Sequence, residues 1–156
     1  MTKTLSINTD RLHATLAAFD AANSQDPRQA LDDLGVPRPY EWLYAERMSR
    51  MLTSFAPAAS ESLQLAARAQ HLERWLIPRD QYPQDRAGYH AWRNQLKNLH
   101  AERASKLMAD QGYDDGEINQ VARLLRKEQL KQDADCQTLE DVACLVFLQY
   151  YLADFA

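Results

Sequence analysis

The chain has 156 residues, of which 46% are hydrophobic and 26% charged, as expected of one globular domain with its own core. No apolar run approaches the roughly 20 residues of a membrane span, and the first residues lack the apolar segment of a secretory signal peptide. Cys136 and Cys144 are too few for a disulfide framework. We therefore interpret both as buried thiols of a cytoplasmic protein.

Helical spacing of apolar residues runs through the chain, and only four glycines interrupt it. We predict an all-α fold, a single-domain helical bundle over residues 1–156, with no sheet of consequence. A first helix, carrying Leu12, Leu16 and Phe19, ends before Asp26-Pro27, and a turn-rich region follows to residue 39. Further helices are predicted at 40–55, at a central and charge-poor 63–75, at 86–110, from Asp114 or Asp115 to Leu125, and, opened by Thr138 to Asp141, from Val142 to about Tyr151.

Charge is distributed unevenly along a chain whose net charge is −4. Residues 68–103 hold seven basic and four acidic side chains, whereas residues 104–156 hold five basic and ten acidic ones. A cationic centre in an acidic protein favours a local anionic partner over general affinity for nucleic acid. The alternative is a set of surface arginines paired with neighbouring acids.

Short sequence motifs, spread over most of the chain, are specific enough to compare with a known family. They are Phe19-Asp20-Ala21-Ala22-Asn23 with Asp26-Pro27, Ala67-Arg68-Ala69-Gln70-His71, Arg74-Trp75 with Ile77-Pro78-Arg79, Tyr82-Pro83, Asp85-Arg86-Ala87-Gly88-Tyr89, Trp92-Arg93, and Leu139-Glu140-Asp141-Val142-Ala143-Cys144-Leu145-Val146-Phe147-Leu148. Together they resemble the DUF4202 family, a domain of unknown function. The resemblance implies no activity, and it implies a family domain that continues past residue 156.

The order of the helices also resembles the HD superfamily of metal-dependent phosphohydrolases. Tyr44 stands where those proteins carry their first histidine, and Gln70-His71 stands where they carry a His-Asp pair. His100 precedes an Ala-rich helix, and Glu140-Asp141 stands near the start of the last apolar helix, as in that superfamily. The resemblance implies an HD-like bundle whose usual four-ligand metal site is altered.

Imidazole and carboxylate groups on apolar helices make a metal site one interpretation of the sequence. His71, His100 and Asp141, or Glu140 in its place, would form a two-histidine, one-carboxylate set for zinc, manganese or iron, with positions left for water. Glu140, Asp141 and Lys127 are the candidate catalytic residues. The alternative is a buried histidine that bonds a carboxylate, with Glu140-Asp141 capping a helix.

Arginine and aromatic residues alternate between positions 74 and 93, which is typical of a site for a phosphorylated or nucleotide-like ligand. The candidate ligand-binding residues are Arg68, Gln70, Arg74, Arg79, Arg86, Trp92 and Arg93. The alternative is a proline-rich loop fixed to the bundle by its aromatic residues. His13 and His90 are interpreted as solvated.

Two functions stay open from the sequence. One is an HD-like hydrolase acting on a phosphorylated or nucleotide-like small molecule or on RNA. The other is a non-catalytic module that binds an anion or nucleotide on a degenerate HD-like bundle. Neither function involves a membrane, and the metal content of the purified protein would separate them.

Overall fold

The structure, a computed structural model, describes the backbone of residues 2–128 and 133–155 and the side chains of 9–128 and 133–154. The ends of the predicted domain, residues 1 and 156, lie outside the described residues. The helices are α1 (Thr2–Asn23), α2 (Tyr40–Phe55), α3 (Glu61–Arg68), α4 (Arg86–Asp110), α5 (Asp115–Arg126), α6 (Ala134–Val146) and α7 (Leu152–Phe155). They confirm the predicted all-α, single-domain bundle.

Helix α3 lies at the centre of the bundle, as its low charge predicts, and it packs against α1, α2, α5 and α6. Leu63, Leu65, Ala66 and Ala67 on this helix are all buried. The prediction that it runs to about Trp75 is wrong. It ends at Arg68, and a turn leads into a short 3-10 helix at Arg74–Leu76.

The early end of α3 has a tertiary cause that helical spacing does not show. The side chain of Asn23, at the end of α1, accepts the backbone N–H of Glu73 at 2.9 Å. Glu73 itself has a left-handed backbone with φ 57°, which a continuing helix does not allow. The turn between Arg68 and Arg74 therefore points these two arginines in different directions.

Between α1 and α2 the chain forms a hairpin in place of the predicted irregular turn. Strands β1 (Gln29–Leu31) and β2 (Pro37–Pro39) pair antiparallel, with Ala30 opposite Arg38. Gly35 has φ 78° in the connection, a value that favours glycine. Three-residue strands are too short to show the alternation by which a strand is recognised in a sequence.

Helix α6 begins four residues before Thr138 and eight before Val142, which changes the position of Glu140 and Asp141 in the helix. The side chain of Asp133 caps this helix by accepting the N–H groups of Asp135 and Cys136. Thr138, predicted to open the helix, lies inside it. Glu140 and Asp141 are therefore in the middle of α6 and cannot serve as first-turn capping residues.

Some of the remaining predictions are confirmed and one is wrong. Helices α4 and α5 have the predicted bounds, and Asp114 and Glu117 form a capping box at the start of α5. Cys136 is buried, but Cys144 is exposed, so its interpretation as a buried thiol is wrong. No helix in the part of the chain that the structure describes is long and apolar enough to cross a membrane.

Candidate functional site

A cavity of about 560 Å³ opens where α2, α4, α6 and the turn after α3 meet. Its wall is completed by the π-helical segment at Phe147–Tyr151 and by α7. The lining side chains are polar and aromatic: Tyr40, Tyr44, Gln70, His71, Arg74, Tyr89, Arg93, Lys127, Glu140, Ala143, Cys144, Phe147, Tyr151 and Asp154. This volume falls in the range of small-molecule sites, roughly 300–1,000 Å³.

Two arginines give one side of the cavity its positive charge. The guanidinium of Arg74 lies 4.9 Å from the ring centre of Trp92, and Nη1 of Arg93 donates to the hydroxyl of Tyr89 at 2.9 Å. Neither forms an ion pair with a carboxylate in the described part of the chain. Arginine stays protonated in proteins, so both charges can act on a ligand, although the charge of Arg74 also acts on the nearby carboxylate of Glu41.

Lys127 and Glu140 form an ion pair that also lines this cavity. Lys127 follows α5 and has a left-handed backbone with φ 58°. Its ammonium therefore enters the cavity with a counterion already attached. Arg74 and Arg93 are left as the stronger anchors for an anion.

One histidine of the cavity wall is held by a buried carboxylate that the sequence interpretation missed. Nδ1 of His71 lies 3.2 Å from Oε1 of Glu41, and the side chain of Glu41 is fully buried. Arg28 donates to the other carboxylate oxygen at 2.6 Å. Burial raises the pKa of Glu41, although the charges of Arg74 and Arg28 oppose the shift.

His71 is one of three stacked rings. The Tyr44 ring lies parallel to it, with centres 3.8 Å apart and planes 7° apart, and the centre of the His100 ring is 6.1 Å from that of His71, with planes 30° apart. Nδ1–H of His100 donates to the carbonyl of Leu72 at 2.7 Å. Burial lowers the pKa of His100 to about 3, and burial followed by the charges of Arg74, Arg93 and Lys127 lowers the pKa of His71 well below its ordinary value. Both imidazoles are neutral at pH 7.

The structure brings only part of the predicted metal-ligand set together. His71 and His100 are neighbours, and Glu140 reaches the cavity wall, but Asp141 accepts from Gln137 on its own helix. Among the described residues, no three His, Cys, Asp or Glu side chains form a group that could hold a metal ion. The predicted ligands therefore do not fit a shared metal shell in this arrangement, and zinc, manganese or iron stays a prediction.

The structure also brings only part of the predicted arginine cluster to the cavity. Arg74, Arg93 and Gln70 line the cavity. Arg68 instead pairs with Asp20 on α1, with Nη2 and Oδ2 2.6 Å apart, and Arg79 donates to the carbonyl of Pro83 at 2.9 Å. Arg68 therefore has the acidic partner of the alternative interpretation, whereas Arg79 bonds backbone carbonyl groups and forms no ion pair with a described carboxylate.

The other two predicted ligand residues lie outside the cavity wall. Nε1 of Trp92 donates to the carbonyl of Ile77 at 2.8 Å, which fixes the proline-rich loop to α4. Arg86 is exposed at the start of α4. His13 and His90 are exposed, as predicted.

Glu41 was recognisable in the sequence by its spacing. It precedes Tyr44, Met48 and Leu52 by three, seven and eleven residues, which places it on the buried face of α2. A carboxylate on an apolar helical face requires a partner. That partner comes from the turn after α3, whose course the sequence does not predict.

The match to a protein-family model covers residues 13–156 and is to DUF4202, a domain of unknown function. The chain belongs to the DUF4202 family. Comparison with curated proteins and with solved structures returned no significant match. Family membership and the all-α fold are therefore established for this DUF4202 chain, and its function follows only from the chemistry of the cavity.

Proposed function

We propose that this DUF4202 domain binds a phosphorylated, ring-containing small molecule, such as a nucleotide, in the cavity lined by Arg74 and Arg93. One observation carries the proposal: two arginines without carboxylate partners among the described residues share a cavity with several tyrosines. Guanidinium groups bind phosphate through paired hydrogen bonds. Tyrosine faces accept a planar ring by stacking.

The charge and the size of the cavity favour a small ligand over a long nucleic acid. The chain carries a net charge of −4, which repels the repeated phosphates of RNA away from the arginines. A volume of about 560 Å³ accommodates one nucleotide-sized molecule. RNA is accordingly the weaker of the two candidate ligands.

A hydrolytic function is the second candidate. The observation that favours it is His71, a neutral imidazole on the cavity wall that is bonded to a buried carboxylate. Binding alone does not require such a pair. The cavity would then hold a phosphoester and expose it to an activated water molecule.

The binding proposal is tested by titrating the purified protein with inorganic phosphate, nucleoside monophosphates, sugar phosphates and a short RNA, using calorimetry and thermal unfolding. Arg93→Ala and Arg74→Met should each weaken binding of the best ligand by about tenfold or more, since a charged hydrogen bond contributes roughly 1.5–3 kcal/mol. Arg86→Ala is the matched control, because Arg86 lies on the same helix as Arg93 but outside the cavity wall.

The proposal fails if none of these anions binds the wild-type protein. It fails equally if Arg86→Ala weakens binding as much as Arg93→Ala does. If the protein binds RNA but no mononucleotide, the small-molecule proposal is wrong and RNA is the ligand.

A further inference from the structure

The carboxylate–imidazole pair at the cavity wall has a defined hydrogen-bond polarity. Glu41 also pairs with Arg28, and an ionised carboxylate can only accept hydrogen bonds. The proton of the 3.2 Å contact therefore belongs to Nδ1 of His71. In a neutral imidazole this leaves Nε2 as the unprotonated nitrogen.

Arg28 holds the carboxylate of Glu41, and Asp26 holds its backbone. Its Oε2 accepts from Nη2 of Arg28 at 2.6 Å, and its backbone N–H donates to Oδ2 of Asp26 at 3.0 Å. Asp26 has a fully buried side chain that also pairs with Arg28. The carboxylate that holds His71 cannot rotate without breaking this ion-pair network.

The ring of His71 is fixed in its plane, yet it remains accessible from the cavity. Tyr44 stacks on one face at 3.8 Å, and 23% of the His71 side chain is exposed. No hydrogen bond to Nε2 comes from the residues that the structure describes. His71 lines the same cavity as Arg74 and Arg93, so its acceptor nitrogen and the anion-binding arginines share one volume.

We infer that His71 is the general base of a phosphoester hydrolysis in this cavity, and that Glu41 is the residue that positions it. The inference rests on the proposed phosphate binding by Arg74 and Arg93. Nε2 takes a proton from a water molecule as its oxygen forms a bond to phosphorus. For a phosphate monoester, the bond from phosphorus to the ester oxygen then breaks with its electron pair, and that oxygen takes up the proton that the His71 imidazolium returns through solvent. The products are inorganic phosphate and an alcohol, and His71 is neutral again.

The two arginines and Glu41 also contribute to this step. The arginines hold the phosphoryl oxygens and stabilise the charge that they carry. The Glu41 carboxylate keeps the proton on Nδ1, as the buried aspartate does in a serine-protease triad, and its charge offsets part of the effect of burial and of Arg74, Arg93 and Lys127, which disfavour the imidazolium. A positioned general base contributes typically 10²–10⁴-fold to a rate.

The test measures turnover of 4-nitrophenyl phosphate, bis(4-nitrophenyl) phosphate and nucleoside mono-, di- and triphosphates by the full chain. His71→Gln should lower kcat on the active substrate at least about 100-fold and leave KM within about twofold. His90→Gln, a change at an exposed histidine on α4, should leave both constants unchanged. Added imidazole should restore part of the activity of His71→Ala.

Glu41 needs separate variants because it is buried. Glu41→Gln should lower kcat by about tenfold or more with little change in KM, and Glu41→Asp should recover part of that loss. Thermal unfolding shows whether each variant is folded. A folded Glu41→Gln with unchanged kcat, or with the whole effect in KM, rules out the positioning role.

The outcomes separate this inference from the proposed binding function. A wild-type protein that binds phosphate or nucleotides but hydrolyses no substrate of the panel overturns the catalytic inference and leaves the binding function intact. Hydrolysis without effect of Arg74→Met or Arg93→Ala overturns the binding function. Activity that chelation removes and added Mn²⁺ or Zn²⁺ restores overturns the inference too, because it assigns the water activation to a metal.

Discussion

Lys127 and Glu140 join the end of α5 to the middle of α6 by an ion pair at the cavity wall. The pair links two elements that are separated in the chain by the residues around position 130. It also neutralises a cation that would otherwise face the same volume as Arg74 and Arg93. The charge of the cavity is therefore set partly by a carboxylate that belongs to its own wall.

Replacing that carboxylate should strengthen anion binding. Glu140→Gln leaves Lys127 without its counterion, and we expect phosphate or nucleotide affinity to rise about three- to tenfold, roughly 1 kcal/mol for a partly exposed charge. Calorimetric titration measures the change. Asp141→Asn is the control, since it removes the same charge from the next residue, whose side chain bonds Gln137. Equal effects of the two variants would mean that net charge alone governs binding.

A close backbone approach at Gly88 fixes the proline-rich loop on α4. A Cβ atom on this residue would lie 2.0 Å from the carbonyl oxygen of Pro83, so Gly88→Ala should destabilise the protein by roughly 1–3 kcal/mol through overpacking. Chemical unfolding measures the loss.

Gly116 supplies the matched control for that substitution. A Cβ there meets Oδ1 of the N-cap residue Asp114 at 3.4 Å, an ordinary contact. Gly116→Ala should be neutral or stabilising by up to about 1 kcal/mol, because alanine favours a helix. A Gly88→Ala variant as stable as Gly116→Ala would contradict the assigned role of the loop contact.

Asp26 stabilises the start of α2 from fourteen residues before that helix begins. Its Oδ2 accepts the N–H of Glu41, and Oδ1 accepts the N–H of Arg28 at 2.9 Å, while Pro39 at the helix start provides no side-chain cap. Asp26→Ala should cost roughly 3 kcal/mol in the free energy of unfolding, because Arg28 and buried N–H groups lose their acceptor.

Asp80→Ala removes an exposed carboxylate, and it should change the free energy of unfolding by less than about 0.5 kcal/mol. The comparison also bears on the cavity, since Asp26 helps to orient Glu41. An Asp26→Ala protein with wild-type stability would show that the network under His71 is not structural.

The bundle could be predicted from sequence because its helices are set by local spacing and caps. α4, with Asp85 as its cap, and α5, with Asp114, have the bounds that their sequences indicate. The end of α3 could not be predicted, because an asparagine fifty residues earlier in the chain binds Glu73. Arg68, in the last turn of α3, pairs with Asp20 on α1, whereas Arg74, after the turn, lines the cavity.

The sequence predicted which residues lie near the candidate site, but it did not predict which of them contact each other. His71, His100, Arg74 and Arg93 share a neighbourhood, as helices with polar residues on apolar faces suggest. Glu41 was missed because its partner depends on the course of the turn at residues 69–73. Asp141 was placed at a helix start by a capping pattern, whereas Asp133 provides the cap in the structure.

The neutral state of His100 makes the stability of the fold depend on pH. The pKa of His100 in the folded protein is about 3, against 6.5 for an ordinary histidine. Between these values the unfolded chain binds one more proton than the folded chain at this residue, so a fall in pH favours unfolding. From pH 7 to pH 5 this group alone should remove roughly 2 kcal/mol from the free energy of unfolding.

His100→Asn retains a donor for the Leu72 carbonyl but has no group that titrates in this range, so its stability should fall less over the same interval. Urea unfolding at pH 7, 6 and 5 gives the slopes, and His13→Asn, at an exposed position, should keep the wild-type slope. If His100→Asn and the wild type lose the same stability between pH 7 and pH 5, another group is responsible for the pH dependence.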